Sequence, residues 1–593
     1  MKSRIKALAI LIAFAAAICN LTAQTATDSL IFRAMQDEID RSMGELEYRD
    51  YDKPCFMGFE LMDTRTVYIG ADIGGLMTDS DISDRSWSFR LIVGSYDLND
   101  ENFSGQNREQ NGGFGNSLSI FPLENDYYGI RRAYWLRADE IYRRAGANHK
   151  EKLNLIEKGV ISNEDLSLPD FTRAEPVELF IPPTRQDIDK ELIRNRVKEL
   201  SELYGSMPGV DLSSAHALFL QNDVRYLNSE GTRVSIPCDL AMLRVTLTVT
   251  DREKKDLDAT FTAYRQSASS LPAPSDIMPV LQRMAGDLVS YSEAGKLEKE
   301  YNGPVLFIGQ PACKFMLRNL FSYSHSLVAE RNNLVVDEGG DVYFENVSND
   351  WQEQTGNRIL PSGTQVTALP HTGEYEGKDL IGAFPVDSEG IIPPDTIIMV
   401  RNGVLEKMLS ARTPTSSTDV SNGHARHYFT SAGLSHYTGP GVIKVDATGG
   451  LPEEYLKELL IEKAKEEGLS HAMIIRSMST DAGVVPDYLF TVDVETGEEK
   501  MVRKASYNDI VDKNELKELR FADTGMVYQT LYPVNSFSMG GFNSYSAMVE
   551  GIPVSYLGPS AVLAGDMEIS AVKEISKLHV AGDAITNPLD IKE

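Results

Sequence analysis

Cysteine is scarce in this chain of 593 residues, which has only four, at positions 19, 55, 238 and 313. The four are far apart, so the sequence has neither a disulfide framework nor a CxxC zinc motif. We expect Cys55, Cys238 and Cys313 to be small buried apolar residues. Long apolar runs are also absent after Ile18, so no later segment has the roughly 20 apolar residues that cross a bilayer.

Basic residues are few relative to acidic ones: 58 Lys and Arg stand against 87 Asp and Glu, a formal net charge of −29 at pH 7. No basic run, with or without interleaved aromatic residues, offsets this charge. Such a chain repels nucleic acid and anionic lipid headgroups, which argues against direct DNA binding. The surplus of acid is typical of a highly soluble protein.

The N-terminus carries the three parts of a secretory signal. Three basic residues, Lys2, Arg4 and Lys6, come before an apolar run of about 12 residues, and the small polar stretch CNLTAQ follows. This order of a basic, an apolar and a small-residue region is that of a cleaved signal peptide rather than of a membrane span. The sequence therefore predicts export.

Cleavage after Ala23 would define residues 1–23 as the signal peptide and take the net charge from −29 to −32, because three basic residues are lost. Cys19 could mark a lipoprotein, but Ile18 is larger than the small residue that usually precedes a lipidated cysteine. We expect a soluble periplasmic or extracellular protein.

The remaining pattern predicts an α+β fold with antiparallel sheets and segregated helices. We predict an N-terminal α/β domain with its connector over residues 24–187 and a central hairpin and helix domain over 188–300. A large antiparallel β-rich C-terminal domain with helices is predicted over 301–593. The charged segment 127–158 is expected to be helical.

Three signals within these domains are especially clear. In the stretch LRVTLTVTD, which starts at Leu243, apolar and polar residues alternate, as in a half-buried strand. Asn402-Gly403 lies between two apolar runs, which predicts a two-residue hairpin because both turn positions need a positive φ. The stretch PEEYLKELLIEKAKEEG, which starts at Pro452, has the proline, acidic start and final glycine of a well-marked helix.

No standard catalytic motif is present: the chain has no HExxH or HExxxH zinc motif, no GxSxG elbow, no P-loop and no dinucleotide fingerprint. His424 and His427 are three residues apart and could share a metal on a helix. The Ser-Asn-Gly before them is typical of a turn, which favours a surface or cleft-lining loop. Arg426 between them could bind a carboxylate.

A second polar stretch contains His371, Glu374, Glu376 and Asp379. A histidine and carboxylates close together can bind an ion, but glycine-rich polar loops of acidic proteins have this composition by chance. His371 is therefore a candidate for a rebuilt active site alongside His424, Arg426 and His427, without an assigned role.

The stretch GPVLFIGQPACKFMLRNLFSYSHS, residues 303–326, predicts a buried strand followed by an apolar helix with His325 at its far end. A strand that leads into a helix is a common support for metal ligands or a nucleophile. A lone histidine is more often a core or capping residue, so this helix could equally be structural.

Several segments together resemble the TldD/PmbA (TldE) family, often described as modulators of DNA gyrase. They follow the family's order over nearly the whole mature chain: YLNSEGTRV, EYNGPVLF, VDSEGIIPPDTIIMVRNGVLEKMLSARTPTSSTDVSNGHARH and GIPVSYLGPSAVLAGDMEIS. The resemblance implies an α+β fold in which TldD-type subunits are zinc peptidases and TldE-type subunits carry no metal. It also implies that peptides bind in an enclosed cleft as an added strand.

In the family, two histidines of an HExxxH helix and one cysteine near the C-terminus hold the zinc. The resemblance places Arg318, Asn319 and Tyr323 of this chain at the positions of His, Glu and His. Arginine and asparagine cannot replace a neutral imidazole and a general base. No cysteine follows Cys313, so the third ligand is missing too. The resemblance therefore implies a TldE-like member without metal or other cofactor, in which the helix is structural.

The sequence leads to one favoured function and two alternatives. The favoured one is a non-catalytic, zinc-less TldE-like subunit of an exported TldD/TldE-type metallopeptidase that acts on peptides or unfolded segments. Its expected partner is a TldD-like zinc subunit, or a second copy of the chain in a dimer. The alternatives are a stand-alone peptidase or hydrolase with a rebuilt active site, and an envelope protein that binds peptides or serves as a scaffold.

Overall fold

The structure is a computed structural model that describes residues 28–571, except 106–120, 163–165, 186, 323–324, 338, 346–348, 350, 431–432, 479, 481, 504 and 534–549. The predicted signal peptide, residues 1–23, lies outside the described residues. None of the described helices is both long and apolar enough to span a membrane.

Seven α-helices lie in the described part of the chain: α1 (28–45), α2 (Tyr127–Glu157), α3 (Lys190–Ser201), α4 (Pro274–Glu293), α5 (Gln310–Phe321), α6 (Glu453–Glu466) and α7 (Lys513–Glu518).

A seven-stranded sheet comprises β1 (Pro54–Asp72), β2 (Gly75–Val93), β4 (Glu178–Phe180), β5 (Leu212–Asn228), β6 (Arg233–Pro237), β7 (Leu240–Thr250) and β8 (Asp256–Arg265). An eight-stranded sheet comprises β9 (Gly295–Lys296), β10 (Tyr301–Ile308), β22 (His471–Arg476), β23 (Tyr488–Asp493), β24 (Glu499–Arg503), β25 (Ala505–Tyr507), β26 (Arg520–Phe521) and β29 (Ala561–Ala571). A six-stranded sheet comprises β14 (Thr364–Ala368), β17 (Ile397–Arg401), β18 (Val404–Leu405), β21 (Val442–Ala447), β27 (Gly525–Tyr532) and β28 (Ile552–Pro559). Smaller groups are β3 (Phe103–Ser104) with β12 (Asn333–Val336) and β13 (Val342–Glu345), β15 (Glu374–Tyr375) with β16 (Lys378–Asp379), and β19 (Ala425–Thr430) with β20 (Gly433–Thr438); the short β11 (His325–Ser326) follows α5.

The seven-stranded sheet is built on the long hairpin of β1 and β2, which turns at Ile73 and Gly74, both with positive φ. Strand β5 pairs antiparallel with the other edge of β1 and also with β6 and β7. In β7 the predicted alternation is present, because Leu243, Val245 and Leu247 are buried while the residues between them are only half-buried. Helices α3 and α4 cover this buried face with apolar side chains.

Helices α5 and α6 pack on the eight-stranded sheet in two separate apolar clusters. Its strand β10 pairs antiparallel with β29 and parallel with β22. Leu456 and Leu460 of α6 pack beside Leu306 and Ile474, as the helix predicted over this segment requires. The Asn402-Gly403 turn joins β17 and β18 with φ of 49° and 77°.

These elements confirm the α+β fold with segregated helices and mostly antiparallel sheets, and the helix predicted over 127–158 is α2. The seven-stranded sheet joins strands from both predicted ranges 24–187 and 188–300, and the domain division stays a prediction. The cysteine prediction was wrong in part: Cys313 is buried, but Cys55 at the start of β1 and Cys238 in the connection between β6 and β7 are half-buried.

A buried ionic network joins the two halves of the chain. Arg90 of β2 binds Glu101 through two hydrogen bonds of 2.7 and 2.6 Å and Glu389 through a third of 2.5 Å. The second oxygen of Glu389 accepts from the backbone N–H of Arg412 at 2.8 Å. The Arg412 guanidinium, itself fully buried, binds Glu230 of the β5–β6 turn at 2.8 Å. Each buried charge has a partner, as burial in a low dielectric requires.

Candidate functional site

Helix α5 carries Arg318 and Asn319, two of the three residues that the resemblance placed at the zinc motif. Arg318 is about half exposed, and its Nε lies 3.0 Å from Oδ1 of Asp509. Asn319 is fully buried and donates to the carbonyl oxygens of Phe315 and Asp509 at 2.9 and 2.6 Å. Its Oδ1 accepts from the backbone N–H of Val511 at 3.0 Å. The amide of Asn319 therefore ties the segment around Val511 to the helix, a structural role.

Tyr323, the third position, lies outside the described residues. His325 beyond it is buried in β11, with its ring 5.7 Å from that of Trp351. The zinc of the family's TldD-type subunits does not fit at Arg318 and Asn319, since a guanidinium is no ligand and the Asn319 oxygen is already bound by a backbone N–H.

A pocket of about 920 Å³ lies along α5, and we name it the α5 pocket. Its wall includes Leu317 and Arg318 of the helix and Tyr528, Thr530 and Tyr532 of β27. Strand β27 is the last strand of the six-stranded sheet and pairs with β28 alone among the described strands. The α5 pocket therefore adjoins a sheet edge that has no partner in the described part of the chain.

A second pocket, of about 700 Å³, lies between the seven-stranded sheet and loops of the C-terminal half. We name it the His427 pocket. It brings together three of the four candidate residues, His371, Arg426 and His427, with Cys238. Cys238, His371 and the adjacent pair Arg426 and His427 come from three distant parts of the sequence, and the fold brings them to one pocket.

His371 is about 29% exposed, and its Nε2 lies 2.8 Å from the carbonyl oxygen of Pro393. Glu374 and Asp379 are paired in the β15–β16 hairpin. In the described ranges, the group of ligand atoms that approach one another within 4.8 Å belongs to Glu60, His427 and His436, so no such group forms around His371.

His424 precedes β19 and is fully buried, with Nδ1 3.1 Å from the carbonyl oxygen of Asn422. Burial and the nearby charge of Arg426 lower the pKa of His424 to about 3, so the imidazole is neutral. The prediction of a loop was wrong for His427, which lies in β19 opposite His436 of β20 because the segment pairs as a hairpin.

His427 is one of two imidazoles that bind one buried carboxylate. Its Nε2 lies 2.5 Å from Oε1 of Glu60, and Nε2 of His436 lies 2.8 Å from Oε2. The Ser88 hydroxyl donates to the same Oε2 at 2.8 Å. Glu60 comes from β1 and is fully buried. We name Glu60, Ser88, His427 and His436 the Glu60 cluster.

At pH 7 the Glu60 cluster carries one negative and one positive charge. Burial alone would raise the pKa of Glu60, but the two imidazoles outweigh it and hold that pKa well below its usual range. Burial acts to lower the pKa of His427, yet Glu60 and the side chain of Cys238 raise it to about 10. Burial lowers the pKa of His436. Glu60 is thus anionic, His427 cationic and His436 neutral at pH 7.

The Glu60 cluster has the donor types and the compactness to surround a divalent ion. Each Glu60 oxygen is, however, already at hydrogen-bond distance from an imidazole nitrogen, and the charges of Glu60 and His427 cancel. The carboxylate is therefore satisfied by its protein partners, as a buried ion pair requires.

Arg426 is buried in the wall of the His427 pocket, 3.8 Å above the ring of Phe384. Its guanidinium donates to the carbonyl oxygen of Gly382 at 3.2 Å. Burial lowers the pKa of Arg426 to about 10, so it is still charged at pH 7. Among the described residues, no carboxylate forms an ion pair with it.

Sequence patterns missed Glu60, His436 and Cys238. Glu60 is 367 residues from His427 along the chain, and nothing near it in the sequence indicates a site. His436 could have been found by pairing the segment as a hairpin, because β19 and β20 are antiparallel and place it opposite His427.

Comparison with known proteins gives a likeness of fold. A candidate modulator of DNA gyrase from Bacteroides thetaiotaomicron covers 91% of this chain and 98% of its own, with a TM-score of 0.51 and 10% identity. TldE from Thermococcus kodakarensis covers 91% of this chain and 100% of its own, with a TM-score of 0.48 and 11% identity. A candidate modulator of a DNA gyrase from Thermotoga maritima covers 87% and 96%, with a TM-score of 0.48 and 12% identity.

No protein-family model and no curated protein matches the sequence. At 10% identity, the similarity to the Bacteroides structure shows the fold alone. The chain therefore has the α+β fold that the resemblance to the TldD/PmbA family implied.

The ion pair of His427 with Glu60 makes stability depend on pH. The unfolded histidine loses its proton near pH 6.5, whereas the folded chain holds it to about pH 10. The contribution of the pair is therefore complete below pH 6.5 and is lost as the pH rises toward 10. We expect the free energy of unfolding, measured with urea, to fall over this range, and the His427→Gln variant to show a flatter profile. An equal slope in both proteins would contradict the assignment.

Proposed function

We propose that this chain is a zinc-less, non-catalytic, TldE-like subunit of an exported TldD/TldE-type metallopeptidase. The observation that carries the proposal is the pair Arg318 and Asn319 on α5, since these residues form structural contacts at the positions of the family's zinc motif. Export is supported by the N-terminal basic and apolar segment of the sequence.

The α5 pocket supports a role in holding peptides. Strand β27 pairs with β28 on one side only among the described strands, and Thr530 and Tyr532 of β27 line the pocket. A peptide in extended conformation can add to such an edge through main-chain hydrogen bonds, which do not depend on its sequence. Tyr437 and Tyr528 offer aromatic surface for its side chains.

Two ion pairs lie in the wall of the α5 pocket. Lys314 binds Asp487 at 2.7 Å, and Arg318 binds Asp509 at 3.0 Å. Glu330 and Glu345 also line the pocket, so its wall has more carboxylates than basic groups. This surplus disfavours acidic peptides.

The partner is the first test of the proposal. We expect the chain purified from its source cell to come with a subunit that has an HExxxH helix and one equivalent of zinc, and peptide cleavage to require both subunits. The chain purified alone should contain no stoichiometric zinc by elemental analysis. Recovery of homo-oligomers only would contradict the proposal.

A substitution at the edge of β27 tests the peptide site. Thr530→Arg places a long charged side chain in the α5 pocket, and we expect it to weaken the binding of a fluorescent unfolded peptide about tenfold or more, measured by anisotropy. Thr491→Arg is the control, because Thr491 is also a half-buried strand residue but β23 is paired on both sides. Equal loss in both variants, or in neither, would count against this site.

A second candidate function is a stand-alone hydrolase, and the His427 pocket favours it. The pocket combines a protonated histidine held by Glu60 with the buried cation Arg426. We expect a hydrolase of this kind to cleave amides without metal and without a partner, with loss of activity in His427→Gln. Absence of turnover by the purified chain on a panel of peptide and N-acyl amino acid amides eliminates this candidate.

A further inference from the structure

Cys238 occupies a rigid position on the wall of the His427 pocket, between the end of β6 and the start of β7. Its backbone N–H donates to the carbonyl oxygen of Asn222 at 2.9 Å, and Nδ2 of Asn222 donates to the carbonyl oxygen of Cys238 at 2.8 Å. Asn222 is fully buried. The cysteine is therefore clamped from both sides, while its half-buried side chain borders the pocket.

The thiol has a histidine beside it, and that histidine has a carboxylate behind it. Cys238 and His427 line the same pocket, and the Cys238 side chain contributes to the raised pKa of His427. Nε2 of His427 lies 2.5 Å from Oε1 of Glu60, so Nδ1 is the ring nitrogen that Glu60 does not use. An activated nucleophile is recognised by a base within hydrogen-bond reach and by a third group that orients this base. Cys238, His427 and Glu60 form this series.

Positive groups lie with Cys238 in the wall of the His427 pocket. His427 carries a proton, and Arg426 of the same strand adds a second positive charge. The neighbouring carboxylate of Asp239 is paired with Arg185, whose Nε lies 3.0 Å away. A protonated imidazole and an arginine next to a cysteine are the usual means of activating a thiol.

Glu60 and His436 face His427 from β1 and β20, and their charges are part of the same balance. Arg185 is shared between Asp239 and Asp223, which lies 2.8 Å away on β5, so this triplet carries one net negative charge. His427 and Arg426 oppose that charge on the pocket side.

Arg426 indicates what the pocket binds. Other deeply buried arginines of the described chain, such as Arg90, Arg225 and Arg412, each form an ion pair with a carboxylate. Arg426 is 7% exposed and has no such partner among the described residues. An unpaired buried guanidinium in a pocket wall favours a ligand carboxylate.

We propose that Cys238 is a nucleophile, with His427 as its acid–base partner and Glu60 as the residue that positions His427, for acyl compounds that carry a carboxylate. The substrate class is an amide with a free carboxylate close to its carbonyl, such as an N-acyl amino acid or the end of a peptide. Arg426 binds the carboxylate. This inference rests on the second candidate function and names its nucleophile.

The chemical step needs only water as a co-reactant. The Cys238 thiolate attacks the carbonyl carbon, and the C–N bond breaks as His427 gives its proton to the departing amine, which leaves a thioester. His427, now neutral, takes a proton from water, and the hydroxide attacks the thioester. The carboxylic acid leaves, and the Cys238 thiolate and protonated His427 are restored.

Alkylation of Cys55, Cys238 and Cys313 in the folded chain tests the proposal without a known substrate. Iodoacetate and iodoacetamide are applied at pH 6, and each cysteine is followed by peptide mass spectrometry. We expect Cys238 to react at least about tenfold faster than Cys55, because a protonated imidazole and an arginine lie in the same pocket wall as its thiol. Burial and the neighbouring Asp100 and Glu101 raise the pKa of Cys55 to about 12, which makes this other half-buried cysteine the internal control.

The two reagents differ in charge, so they separate the role of Arg426 from that of His427. Iodoacetate should be preferred over iodoacetamide at Cys238, and Arg426→Gln should remove this preference. His427→Gln should slow both reagents at pH 6, with Glu60→Gln acting in the same direction. Circular dichroism and the unchanged reaction of Cys55 report whether each variant is folded.

Three results would overturn the proposal. The first is reaction of Cys238 at pH 6 no faster than that of Cys55. The second is a folded His427→Gln variant that reacts as fast as the unmodified chain. The third is stoichiometric zinc in the purified chain that is lost in His436→Gln, since the Glu60 cluster would then be a metal centre. Turnover measurements test the second candidate function separately. If Cys238 reacts rapidly with the alkylating reagents but the chain hydrolyses no amide, the hydrolase function is wrong and the assignment of Cys238 as a nucleophile stands.

Discussion

The ion pairs of Glu389 and Glu60 are the interactions on which the arrangement of this molecule depends. Glu389 belongs to the C-terminal half, yet its two oxygens bind Arg90 of β2 and the backbone of Arg412. Glu60 belongs to β1 and binds both histidines of the β19–β20 hairpin. Charges buried in this way are costly unless they are paired, so each half of the chain needs the other. Both carboxylates thus fix the walls of the His427 pocket.

The two pockets divide the chemistry of the protein between them. The α5 pocket is aromatic, has two ion pairs and adjoins a strand edge, which suits an extended peptide. The His427 pocket has a thiol, a protonated imidazole and an arginine without an ion-pair partner among the described residues, which suits a small anion with a reactive carbonyl.

The sequence was sufficient for features that depend on neighbouring residues. The alternation in β7, the Asn402-Gly403 turn and the two ends of α6 follow from local patterns, and the structure has all three.

The candidate site was visible only in part, because it depends on contacts between distant strands. His427 attracted notice because of its spacing from His424, but that spacing has no role: His424 is bound to Asn422, and His427 pairs with His436 and Glu60. Cys238 drew no attention because an isolated cysteine in a sequence carries no sign of its neighbours.

The edge of β27 has a further consequence for the protein as a population of molecules. A strand edge open to extended peptides is equally open to the same edge of another copy, and the strong negative charge of every copy supplies the mutual repulsion that keeps such pairings rare.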